Sequence, residues 1–136
     1  MKEKITILVS DHNKNVREYI KREISKKGYN VYLAKNSNQI LRYLEHDKSI
    51  NLLILDPEIP DSDEKTLLEK ITRQNPALPI IIHTFSKEEY SNRSRNSHKI
   101  LAVLEKIDYS VDSLQLIIDE LLKEKAERSF NLNYDS

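Results

Sequence analysis

Apolar residues recur along the chain in five short runs: Ile5-Thr6-Ile7-Leu8-Val9, Val31-Tyr32-Leu33-Ala34, Leu52-Leu53-Ile54-Leu55, Ile80-Ile81-Ile82 and Leu101-Ala102-Val103-Leu104. The runs are continuous rather than alternating, as expected of strands covered on both faces in a parallel sheet. Between them the period changes to that of a helix. Val16, Tyr19, Ile20 and Ile24 share one face, and Gly28 in "KKGYN" is placed to end that helix. Asn36, three residues before Gln39, predicts a cap for a second helix carrying Ile40, Leu41 and Leu44. Leu67, Leu68 and Ile71 form a third stripe closed by "NPALP". Ser110 is read as the cap of a last helix with Leu114, Ile117, Ile118, Leu121 and Leu122 on its apolar face. The segment "SKEEYSNRSRNSHK" should hold a fourth helix, but it has almost no apolar face, so a short exposed one is expected.

This alternation predicts a single α/β domain over residues 1–128, built on a five-stranded parallel sheet. The remaining "SFNLNYDS", residues 129–136, has little to fold around and is expected to be a flexible tail. In such sheets the functional crevice lies beyond the carboxyl ends of the strands. The residues found there are Ser10-Asp11, Asp56, His83-Thr84 and Glu105-Lys106. Asp56 follows four apolar residues, and a carboxylate there is costly to desolvate unless something pairs with it. Two acids, a hydroxyl and an ammonium at one sheet edge supply such a pairing.

Composition narrows the chemistry. With 136 residues there is room for one core. Lys+Arg and Asp+Glu both number 22, which argues against bulk attraction to nucleic acid or an anionic membrane. Gly28 is the single glycine, so no Gly-rich loop can cradle a phosphate. The absence of cysteine removes disulfides and thiolate chemistry and suits a reducing compartment. No signal-peptide pattern opens the chain, and no apolar run approaches the ~20 residues that span a bilayer. The expectation is a cytoplasmic protein.

From about Lys4 to Leu122 the chain resembles the receiver domains of two-component response regulators, the family that includes the chemotaxis response regulator. The segments "ILVSD", "LLILDPEIPD", "PIIIHT" and "LAVLEK" carry the resemblance, each ending its own strand. It implies a doubly wound (βα)5 fold in the flavodoxin-like order 2-1-3-4-5, with helices on both faces. It also implies Asp56 as phosphoacceptor, Thr84 as the hydroxyl that bonds to the phosphoryl group, and Lys106 as its ion-pair partner. Mg2+ would be held by Asp11 and Asp56 through side chains, by Glu58 through its backbone carbonyl, and weakly by Ser10 through water. Pro60 matches the family's proline after the acceptor.

Several positions depart from the family pattern. Ser10 stands where the first acid of the usual pair would be, so Mg2+ binding is expected to be weakened, not abolished. Ile107 replaces a usual proline, leaving Lys106 less fixed. Phe85 replaces a small residue and is expected to restrict access to Asp56. Glu64 replaces a frequent glycine at a turn, and Val103 replaces a frequent Tyr or Phe.

Blander readings stand beside these. Asp11 also reads as a helix cap, Thr84 as an ordinary strand-end residue and Lys106 as a surface lysine. His83 reads as a neutral buried residue and His12 as an exposed loop residue, and none of the four histidines has a partner at metal-ligand spacing. Arg93, Arg95 and Lys99 read as a solvated basic run without a DNA-reading motif.

The function that follows is a stand-alone, non-enzymatic receiver domain. It takes a phosphoryl group on Asp56 from a histidine kinase or phosphotransfer protein and signals by contacting an unidentified downstream protein. The resemblance also allows a homodimer; no nucleic-acid or membrane partner is expected. The alternatives are a phosphorylation-independent pseudo-receiver and, more remotely, a haloacid-dehalogenase-like phosphatase suggested by "DPE" after a buried strand.

Overall fold

The computed structural model describes residues 5–90, 99–107 and 110–135, with only the backbone described beyond Glu124. Among the described residues five strands alternate with five helices. They are β1 (Thr6–Ser10), α1 (Lys14–Ser25), β2 (Asn30–Ala34), α2 (Ser37–His46), β3 (Leu52–Leu55), α3 (Glu64–Gln74), β4 (Ile80–Thr84), α4 (Lys87–Tyr90), β5 (Ile100–Glu105) and α5 (Ser110–Asp135). All strands are parallel, in the order β2-β1-β3-β4-β5. The expected fold class and strand order are therefore observed.

The continuous apolar runs have a direct cause. Every residue of β1, β3 and β4 is buried, because helices cover both faces of the sheet. On one face Leu8, Leu53, Leu55, Ile80 and Ile82 pack with Ile40 and Leu44 of α2 and Leu67, Leu68 and Ile71 of α3. On the other, Ile7, Val9, Leu52, Ile54 and Ile81 pack with Ile20 and Ile24 of α1 and Leu114 and Ile118 of α5. The edge strands β2 and β5 are only partly covered.

Local signals place the helix ends. Asn36 accepts a hydrogen bond from the Gln39 amide, capping α2, and the Gln39 side chain accepts from the Lys35 amide. Asp63 caps α3 by accepting from the amide and hydroxyl of Thr66. Glu64, where the family pattern often has glycine, occupies the first turn of that helix, where a negative charge suits the dipole. Gly28 has φ +89°, the left-handed conformation that glycine adopts without strain, and it follows α1 as expected.

Two expectations need amendment. Helix α4 is a single turn whose Tyr90 is buried in the core, so it is anchored by one ring rather than wholly exposed. The stretch 91–98, including Arg93 and Arg95, lies outside the described residues. Ser110 is the first residue of α5, and its hydroxyl meets His83 across the domain instead of closing the helix end. The backbone of α5 runs to Asp135 and so includes residues 129–135. No Gly or Pro follows Ser110, and the stretch from Lys123 to Arg128 consists of strong helix formers.

Candidate functional site

Strand ends bring the site together. The Asp56 amide donates to the Ser10 carbonyl (3.2 Å), and the Lys106 amide donates to the Thr84 carbonyl (2.8 Å). Each bond carries the parallel ladder past the last strand residue. It fixes the backbone of the functional residue in register with its neighbour. The Lys106 backbone is thus held against β4, and the Ile107 amide, which a proline would lack, closes a tight turn onto the Glu105 carbonyl.

Asp11 and Asp56 are both fully buried. The Lys106 ammonium, with a side chain only 5% exposed, lies 2.7 Å from Asp11 Oδ2 and 3.1 Å from Asp56 Oδ2. One cation therefore bridges two buried anions, leaving the trio with a net negative charge. Asp56 Oδ1 accepts from the Glu58 amide (3.0 Å), and Oδ2 accepts from the His12 amide (3.3 Å). Asp11 Oδ1 accepts from the Asn13 amide (2.9 Å). Asp11 is therefore not the helix cap; Asn13 is, accepting from the Val16 amide.

His12 enters the site directly. Its Nδ1 lies 2.5 Å from Asp56 Oδ2 and 3.8 Å from Asp11 Oδ1. Burial pushes the Asp56 carboxyl up, but the Glu58 amide, the His12 ring, the Lys106 ammonium and the His12 amide together outweigh it. The group sits below the ordinary carboxylate value. Asp56 is therefore an ionised acceptor at neutral pH, and Nδ1 is the donor in its bond with His12. The sequence reading placed His12 in an exposed loop. A ring nitrogen one residue past an acid at a strand end was the signal available; the tertiary fold supplied its partner.

The other expected residues take varied places. Thr84 is fully buried at the end of β4, and its hydroxyl accepts from the Ser86 amide (3.0 Å), which shapes the turn after the strand. Ser10 is buried, and its hydroxyl donates to the Ile54 carbonyl (3.0 Å), so its proton is committed within the sheet. The Glu58 side chain is exposed and accepts a long hydrogen bond from the Ser86 hydroxyl (3.4 Å). Phe85 is 62% exposed, with its ring centroid 5.1 Å from the Lys106 ammonium, a cation–π contact that helps shelter the ion pair. Val103 is buried against the core.

His83 is buried, as expected. Its Nε2 pairs with the Ser110 hydroxyl (3.0 Å), and its Nδ1 has no hydrogen-bond partner among the described residues. Burial, reinforced by the Lys106 charge and opposed by Asp56, lowers its pKa to about 4. The unfolded chain binds this proton near the ordinary 6.5, so stability is complete above that pH and falls as the pH drops toward 4. The expected loss is about 2 kcal/mol by pH 5. Urea unfolding at pH 7 and pH 5 should show it in the native chain and not in a His83→Leu variant. Equal slopes in both would refute the assignment.

The donor set fits a divalent cation. One carboxylate oxygen each from Asp11 and Asp56 and a ring nitrogen of His12 lie within 4.8 Å of one another. Two buried carboxylates against one ammonium leave charge for an ion to neutralise. Among the described residues no helix is long and apolar enough to cross a membrane.

Comparison with known proteins bears on the family and the fold. A family model described as "Response regulator receiver domain" matches residues 7–118. The DNA-binding transcriptional regulator NtrC of Bradyrhizobium sp. (strain RP501 Parasponia) is 31% identical over 77 residues, covering 57% of this chain and 16% of that protein. The chain thus spans about a sixth of the length of that curated relative. A CheY-like response regulator receiver domain protein from Methanospirillum hungatei JF-1 superposes with a TM-score of 0.79 at 26% identity, covering 92% of this chain and 99% of that one. The response regulator TrrA of Thermotoga maritima, in complex with Mg(2+)-BeF, gives a TM-score of 0.73 at 26% identity, over 86% of this chain and 98% of that one.

Proposed function

This chain belongs to the response regulator receiver domain family, matched over residues 7–118, and on that premise we propose that Asp56 is its phosphoacceptor. It is a receiver domain of two-component signal transduction, a class that in general accepts phosphoryl groups without being an enzyme. The observation that carries the proposal is the buried, ionised Asp56 bridged by Lys106 to Asp11 at the carboxyl ends of β3, β5 and β1.

In the proposed step a carboxylate oxygen of Asp56 attacks the phosphorus of a donor. An O–P bond forms and the bond from phosphorus to the leaving group breaks, that of phosphohistidine when the donor is a histidine kinase or phosphotransfer protein. The leaving imidazole keeps the electron pair of the broken bond. Lys106, already 3.1 Å from the acceptor, carries the positive charge that the new phosphoryl oxygens require. Thr84 would turn its hydroxyl from the Ser86 amide to the phosphoryl group, releasing that turn, so that the loop after β4 responds to the modification.

Asp11 and Asp56, with the Glu58 carbonyl, would hold Mg2+, and Ser10 would contribute only through water. When bound, the ion offsets repulsion between the carboxylate and the incoming phosphoryl oxygens. The TrrA complex with Mg(2+)-BeF supports a metal at this type of site. The reading extends to a cytoplasmic protein that signals through a downstream protein, with neither nucleic acid nor membrane as partner. The family match does not favour the phosphorylation-independent or phosphatase alternatives.

The test is incubation with a small-molecule phosphodonor, with and without a divalent cation, followed by intact mass measurement. The native chain should gain one phosphoryl group, and an Asp56→Asn variant none. No gain by the folded native chain, or equal gain by the variant, would overturn Asp56 as acceptor.

A further inference from the structure

We propose that His12 converts the cation centre into a mixed nitrogen–oxygen site that prefers Mn2+ and Co2+ to Mg2+. The inference rests on Asp11 and Asp56 holding a cation at all. It concerns which cation they hold, and why this chain differs from a site built of carboxylates alone.

Three observations carry it. First, His12 is held in place twice. Its amide donates to Asp56 Oδ2 (3.3 Å), and its Nδ1 faces the same oxygen at 2.5 Å. An imidazole nitrogen thus faces the carboxylate atoms that would ligate an ion, within 4.8 Å of both acids. A cation seated among these three donors takes the place of the hydrogen now shared by Nδ1 and Oδ2.

Second, no further carboxylate compensates at Ser10. Its hydroxyl proton goes to the Ile54 carbonyl, inside the β1–β3 pairing. The anionic donors adjoining His12 are Asp11 and Asp56, and Lys106 sits 2.7 and 3.1 Å from them. Mg2+ is hard, dehydrates reluctantly and depends on anionic oxygen. A site with two partly neutralised carboxylates gives it little advantage.

Third, the added ligand is of the kind that discriminates. Imidazole suits first-row transition ions, whose affinity for a common N/O site rises from Mn2+ to Co2+ and beyond. Losing an anionic oxygen and gaining a neutral nitrogen therefore moves the preference in one direction. The His12 side chain is 41% exposed, so its replacement does not threaten the fold.

The experiment is calorimetric titration of the full chain with MgCl2, MnCl2 and CoCl2, repeated on His12→Gln and Asp56→Asn. Pulsed electron paramagnetic resonance of the Mn2+ complex accompanies it. Mn2+ should bind the native chain at least about tenfold more tightly than Mg2+, and His12→Gln should remove most of that ratio while changing Mg2+ affinity little. A nitrogen hyperfine coupling should appear in the native Mn2+ complex and vanish in His12→Gln. An unchanged Mn2+ to Mg2+ ratio without nitrogen coupling, while Asp56→Asn abolishes binding, sinks the inference and leaves the cation site standing. Absence of binding by any of the three ions to the native chain overturns both.

Discussion

Replacing Lys106 by Met is expected to lower unfolding stability by roughly 3–5 kcal/mol, the usual cost of removing one partner from a buried ion pair. Methionine keeps much of the aliphatic volume, so the loss reports on charge rather than on packing. Two fully buried carboxylates, held 2.7 and 3.1 Å from one ammonium, would be left, among the described residues, with hydrogen bonds from Asn13, Glu58 and His12. Those donors satisfy individual oxygens but do not neutralise the net charge. Urea unfolding of the two chains measures the difference, and added Mn2+ should restore part of it by supplying the missing positive charge. A deficit below about 1 kcal/mol would mean that the ammonium is not what makes the buried acids tolerable. The same variant should lose most phosphoryl uptake, since the charge facing the incoming group is gone.

The second large effect is expected in the sheet. Leu53 is fully buried at the middle of β3, paired in register with Leu8 of β1 and Ile80 of β4. Leu53→Ala should cost about 3–5 kcal/mol, because backbone pairing on both sides prevents the strand from collapsing into the cavity. Thermal or urea unfolding reads the loss directly. Metal affinity at the strand end should survive in the folded fraction, since the Asp56 backbone is fixed by the hydrogen bond its amide donates to the Ser10 carbonyl. A loss under 1 kcal/mol would show that the neighbouring core fills the space.

Much of this was legible in the residues because the sheet is covered twice. Helices on both faces bury every position of β1, β3 and β4 and so favour apolar residues along them, and the strands stand out as apolar runs with polar residues mainly at their ends. A charged residue at the carboxyl end of an apolar run is conspicuous, directly after it for Asp56 and one residue on for Asp11 and Lys106. Caps at Asn36 and the glycine after α1 are local devices and read equally well. Ser110 was read as a cap, and Asp11 alternatively as one, because Ser and Asp suit helix caps as well as long-range pairings. Nothing within a few residues says that Ser110 faces His83 or that Asp11 pairs with Lys106.

By itself, then, the sequence determined the alternation of strands and helices, the identity of the strand-end acids and lysine, and the exclusion of glycine-loop and thiol chemistry. Those follow from hydrophobic periodicity and residue type, which act over a few positions. Only the tertiary structure decided that one ammonium bridges both acids, that Ser10 spends its proton on Ile54, and that His12 faces an oxygen 44 residues away. Such pairings depend on the register of parallel strands and the turns that leave them. A side chain's charge and size fix what it can pair with, and the sheet decides which partner comes within reach.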